Sequence, residues 1–174
     1  MTSLGLGQLQ TGLLQLIKGR PTAVADSYLS EVARSEALVL LREIAASWRA
    51  TSIQRTAPLT TAMLERRGYL GAELIALIRA PDLGPFHRDV RNRLFASAAN
   101  HHDPLVAAVA RFERALIGVA EGTLECAIAI EWPVDPYPVL NALMAGRELP
   151  ATGPASHQVL VGPTVAGMFR VMPS

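Results

Sequence analysis

The run Thr123-Leu124-Glu125-Cys126-Ala127-Ile128-Ala129-Ile130-Glu131-Trp132 puts Leu124, Cys126, Ile128, Ile130 and Trp132 on one side of an extended chain. Thr123, Glu125, Ala127, Ala129 and Glu131 fall on the other. A period of two is what a half-buried strand requires. The run follows a long stretch of helical periodicity, so the chain changes character here. A strand with few partners carries unpaired backbone donors and acceptors, and such an edge is either protected or used to bind an extended peptide.

Downstream, Trp132-Pro133-Val134-Asp135-Pro136 reads as a rigid turn. Asp135 before a proline opens a short helix over Val139, Leu140, Leu143 and Met144, which Gly146 closes. A second strand is predicted at His157 to Val161 and a third at Met168 to Val171, with Gly162-Pro163 between them. Upstream, a helix from Leu4 to Lys18 ends at Gly19, and helical spacing resumes from Thr22, with Ser35 as a possible cap that leaves one helix or two. Pro58 starts another helical run, punctuated by Gly68 and Gly71, where a break between Arg67 and Gly71 is predicted because interior glycine is costly. Pro81 to Pro85 is a loop, Phe86, Val90, Leu94 and Phe95 mark a further helix, and Asp103-Pro104 is a strong start signal for a helix ending at Gly122. The fold class is therefore mainly α with a small C-terminal α+β part. An N-terminal helical bundle, residues 1–122, precedes a short three-stranded sheet with one helix, residues 123–174.

The 174 residues are 50% hydrophobic and 18% charged, with net charge +1 and Lys18 the only lysine. This is no electrostatic footprint for nucleic acid or anionic lipid. The mean hydropathy of +0.26 is high for an isolated soluble protein. Either some apolar surface belongs to a partner or the helices share a small-residue core. A single cysteine rules out an intramolecular disulfide framework and fits a reducing compartment. Neither a signal-peptide pattern nor an apolar run long enough to span a bilayer is visible, so the cytoplasm is the default.

No catalytic constellation competes with the sheet. His101-His102-Asp103 suggests a metal, but adjacent loop side chains rarely converge on one ion and Asp103 is needed as a cap. His87 and His157 lack partner motifs. Cys126 has no local base and, alternating with Ile128 and Ile130, reads as a small core hydrophobe. Glu36 and Glu43 are one heptad apart, yet a carboxylate-bridged metal bundle needs Glu-x-x-His pairs that are absent. Phosphate loops, dinucleotide fingerprints, zinc spacings and nucleophile elbows are also absent. Arg66, Arg67, Arg88, Arg91 and Arg93 could meet phosphates or a partner's carboxylates, so a small helical DNA-binding regulator stands as the alternative function. An enzyme with its own metal is a third reading.

Phe112-Glu113-Arg114-Ala115-Leu116, the strand, Trp132-Pro133-Val134-Asp135-Pro136-Tyr137-Pro138-Val139-Leu140, Gly146-Arg147-Glu148-Leu149-Pro150 and the closing Met168-Phe169-Arg170-Val171 together carry a family likeness. On these residues the chain resembles the partner subunits of multinuclear non-haem iron-dependent oxidases in ribosomal peptide natural-product biosynthesis, of the methanobactin and 3-thiaglutamate type. It differs from the methanobactin partner in being rich in Arg and Ala and poor in aromatic residues. The resemblance covers mainly the last third of the chain. It implies a non-catalytic subunit, with no cofactor of its own and iron in the partner enzyme. The helical part would dock on the iron-dependent oxidase as a heterodimer, and the sheet would bind the leader of a precursor peptide whose cysteine is modified.

By edge addition, the leader would lie along the strand His157, Gln158, Val159, Leu160 and Val161, backed by Val139 and Leu143 of the preceding helix. A charge or proline at Val159 or Val161 would then abolish leader binding and leave the helices folded. Arg88, Arg91, Trp132 and Tyr137 are the residues expected to dock the enzyme. No catalytic or metal-ligating residue is assigned, and neither nucleic acid nor a membrane is expected as a partner.

Overall fold

A computed structural model describes residues 5–20, 26–80, 87–151, 153 and 156–173. The described residues form helices α1 (Leu6–Ile17), α2 (Ser27–Arg34), α3 (Glu36–Thr56), α4 (Pro58–Arg66), α5 (Leu70–Arg79), α6 (His87–Ala98), α7 (Pro104–Ala120) and α8 (Pro136–Met144), with strands β1 (Ile128–Trp132), β2 (His157–Val161) and β3 (Phe169–Pro173). The loop expected over Pro81 to Pro85, and Phe86 beside it, lie outside the described residues.

Local chemistry sets most of the boundaries. Ser35 is extended and its hydroxyl accepts from the Ala37 amide, so the segment after Asp26 is two helices, not one. Asp103 accepts from the Leu105 and Val106 amides and Asp135 from the Tyr137 amide, each just before a proline at the first helical turn. At the ends of α1 and α4, Gly19 and Gly68 adopt φ of 72° and 75°, a region that favours glycine.

The sheet is antiparallel in the order β1-β2-β3. Ile130 stands opposite Val159, and Val159 opposite Val171. Its inner face, with Ile130, Trp132, Val159, Val161, Phe169 and Val171, packs on the helices. On α7, Phe112 meets Trp132 and Phe169 edge-to-face, at ring separations of 5.8 and 5.1 Å. This shared core also takes in Ile53, Met63, Leu94 and Leu140, so the line drawn at Gly122 marks a change of secondary structure and not a change of core. A second, smaller cluster of Leu16, Leu29 and Leu38 joins α1, α2 and the start of α3. The approach of α1 to α2 is close enough that a Cβ at Gly12 would stand 2.4 Å from a Leu29 methyl.

Glu113, one residue beyond Phe112, is only 4% exposed. Its carboxylate accepts from the Leu59 and Thr60 amides at 2.8 and 2.7 Å. Ala57, the residue before α4, has no side chain able to cap, so a carboxylate from α7 caps this helix from a distance. Burial pushes the Glu113 carboxyl above its ordinary value of 4.5, opposed by the hydrogen bonds it accepts and by the Arg91 charge.

Replacing Glu113 with Gln leaves one helix amide facing an NH2 group and is expected to lower stability by about 1–3 kcal/mol at neutral pH. A carboxyl whose folded pKa exceeds its unfolded one binds its proton more tightly when folded. Its stabilisation is full below 4.5 and declines as pH rises through the raised value. E113Q lacks this component, so its deficit against the wild type should widen between pH 7 and pH 5 in denaturant titrations.

Candidate functional site

The sheet's position rewrites several expectations. β2 is the central strand, hydrogen-bonded to β1 on one side and β3 on the other, so it has no open edge for a peptide. Val159 and Val161 are fully buried, and Val139 and Leu143 face the core. A charge or proline at either valine would therefore disrupt the shared core, not a binding surface alone. α8 packs mainly against α4, whose Arg66 guanidinium donates to the Gly146 carbonyl at the far end of α8. His157 lies on the inner face with Val159 and is engaged within the structure, while Gln158 and Leu160 lie half-buried on the outer face. Trp132, 1% exposed against Phe112, has no surface with which to dock a partner.

Cys126 is exposed, not a core residue. The amides of Thr123 and Leu124 both donate to the Gly118 carbonyl, which wraps the chain around the end of α7 before any ladder forms. Ala127 is then pressed against Gly162, where a Cβ would come within 2.6 Å of the Ala127 Cα. Pairing starts only at Ile128, so the alternation upstream of it has no sheet to face.

The edges are β1 and β3. β3 ends in Pro173, which has no N–H to donate. β1 contains no proline, and its Ile128, Ala129 and Glu131 are exposed. Its first residue, Ile128, also lines a cleft of about 590 Å3 between α6, α7 and the segment leading into β1. Phe95, Ala115, Ile117 and Leu124 give this cleft apolar walls, and Arg88, Arg91, Arg111 and Arg114 bring four guanidinium groups to it. The spacings Arg88/Arg91 and Arg111/Arg114, three residues apart, set each pair on one helix face.

Besides the buried Glu113, which feels the Arg91 charge, a carboxylate lining the cleft opposes them. Glu121, at the end of α7, lies 2.8 Å from Arg91 and 3.7 Å from Arg88. Arg111 donates to the Ala99 carbonyl, joining the walls of the cleft. Arg91 keeps a buried Nε with no acceptor. Two of the four residues expected to dock an enzyme thus come together, Arg88 and Arg91. Tyr137 is exposed elsewhere, near Phe169, and Trp132 is enclosed. Arg111 and Arg114 escaped the sequence reading because they sit within the helical pattern of α7. Their spacing to each other matches that of Arg88 to Arg91, the signal that could have found them.

The arginines considered for DNA do not form one surface. Arg66 serves α8 and Arg67 pairs with Asp103 at 3.2 Å, away from the cleft that holds Arg88 and Arg91. His101 and His102 lie against Tyr69 at ring separations of 4.5 and 5.3 Å and against each other at 4.2 Å, and His101 Nδ1 accepts from the Asp103 amide. Among the described residues, no three His, Cys, Asp or Glu side chains are grouped closely enough to hold a metal ion. None of the described helices is long and apolar enough to cross a membrane. No family model matches the chain, and no curated protein or solved structure matches it either.

Exposure of Cys126 gives a direct check on where β1 begins. One thiol per chain should react with a disulfide reagent in native buffer at close to the rate of an unfolded control; a thiol that reacts only after denaturation would mean that the strand extends back through Cys126.

Proposed function

We propose that this chain is a non-catalytic subunit that binds the leader of a ribosomally synthesised precursor peptide and presents the peptide, at a cysteine, to an iron-dependent oxidase. The observation that carries the reading is the β1 edge, a strand paired on one side only, free of proline, and bordered by a cleft. Backbone pairing along such an edge suits a leader because it holds an extended segment whatever its side chains, leaving the core peptide outside. β1 replaces the central strand β2 as the receiving edge.

The heterodimer is supported by a separate surface. Leu40, Ile44 and Trp48 recur every four residues along α3 and are 58, 44 and 74% exposed, with Leu41 beside them. Three large apolar side chains on one helix face, left uncovered by this chain, favour association with another protein. The iron, and the oxidation it performs, belong to the other subunit in this reading.

Co-expression with an iron-dependent peptide-modifying oxidase tests association: the iron protein should co-purify with the wild-type chain and be lost with I44E/W48E. Hydrogen exchange tests the edge. The precursor peptide should slow exchange over residues 128–132 and leave β3 unchanged, and equal exchange with and without the peptide would sink the β1 reading.

A further inference from the structure

We infer that the α6–α7 cleft is a carboxylate-reading subsite, which takes the acidic side chains of an extended peptide whose backbone lies along β1. The inference rests on the peptide-binding reading for its occupant and on the cleft itself for its chemistry. Four guanidinium groups surround a space of about 590 Å3 in a chain whose net charge is only +1. Glu121 answers two of them, and Arg114 forms no ion pair or hydrogen bond among the described residues. Arg91, with a side chain 13% exposed, has its Nε buried without an acceptor. The exposed Arg114 is the ready donor of the set, since its planar fork matches a carboxylate.

The apolar part of the lining selects among anions. Phe95, Ile117, Leu124 and Ile128 give no partner to a free inorganic anion or to a sugar-phosphate backbone. They do suit the aliphatic stems and neighbouring apolar residues of a Glu-containing peptide. Continuity with the edge strand fixes the direction of entry. Ile128 is at once the first residue of β1 and part of the cleft wall, so a strand added to β1 delivers the residues beyond its end to the arginines. Glu121 then acts as an internal competitor that occupies Arg88 and Arg91 until a peptide carboxylate arrives.

The test uses the full chain and a fluorescently labelled decapeptide with glutamate at alternate positions and leucine or serine between, together with its glutamine counterpart. The glutamate peptide should bind roughly tenfold or more tightly than the glutamine one, with an affinity that falls as salt is raised. R88Q/R114Q, at two exposed positions, should remove most of that preference. E121Q should strengthen binding, an outcome that a merely structural role for these residues would not give. Equal affinity for the two peptides, or R88Q/R114Q binding like the wild type with its fold intact by circular dichroism, overturns the inference. Displacement of the peptide by millimolar inorganic phosphate, or tighter binding of a single-stranded oligonucleotide, also overturns it. Precursor-induced protection of residues 128–132 that persists unchanged in R88Q/R114Q removes the cleft from recognition and leaves the leader reading standing. Glutamate-selective binding without protection by the precursor does the reverse.

Discussion

A buried carboxylate at the N-terminus of another helix is the interaction on which this architecture turns. Glu113 brings its charge into the core, where desolvation costs several kcal/mol. Two short amide hydrogen bonds and the positive end of α4 offset part of that cost. The geometry permits no substitute from nearby sequence, because Ala57 lacks a capping side chain and Pro58 lacks an N–H. The start of α4 is thereby locked to the middle of α7, 54 residues later in the chain.

Helix α7 extends this constraint in other directions. Four consecutive residues serve distinct neighbours: Arg111 reaches the Ala99 carbonyl, Phe112 fills the gap between Trp132 and Phe169, Glu113 holds α4, and Arg114 faces the cleft. Successive side chains about 100° apart make this possible on one helical turn. The sheet is fixed by Phe112 while the cleft is framed by the residues on either side of the buried pair. The β1 edge and two of the arginines, Arg111 and Arg114, are therefore set by one element, and the Arg111 bond to the Ala99 carbonyl ties the end of α6, the helix of Arg88 and Arg91, to it.

The chain announces its local boundaries and conceals its long-range ones. Asp103-Pro104 and Asp135-Pro136 could be read directly as helix starts, because capping and proline geometry act within three residues. Gly19, Gly68 and Gly146 end their helices with positive φ for equally local reasons. The strand at His157 to Val161 was legible, and its place at the centre of the sheet was not, since strand order depends on packing across α8. Cys126 failed for a related reason: alternation in sequence says which residues share a face of a strand and nothing of where pairing begins. Trp132 misled as a docking residue because a large aromatic serves a core or a surface with the same local pattern. Glu113 was visible only as a charged residue amid apolar ones in α7, a periodicity defect that a buried capping role explains.

In the proposed reading, edge pairing and charge recognition would divide the work of binding a peptide in complementary ways. Backbone hydrogen bonds along β1 would be indifferent to sequence, and by themselves they would accept any extended segment. The arginines would add selectivity, and their field would also draw an acidic chain toward the edge before contact, an effect on association rate that salt suppresses. With α6 and α7 holding the two sites near each other, engagement at one would raise the effective concentration of peptide at the other without a new conformation. Modest affinity at each site is then enough to hold a leader firmly. A weak hold at each would also let the segment leave in two small steps, as a subunit of the proposed kind would need once the residue downstream had been modified.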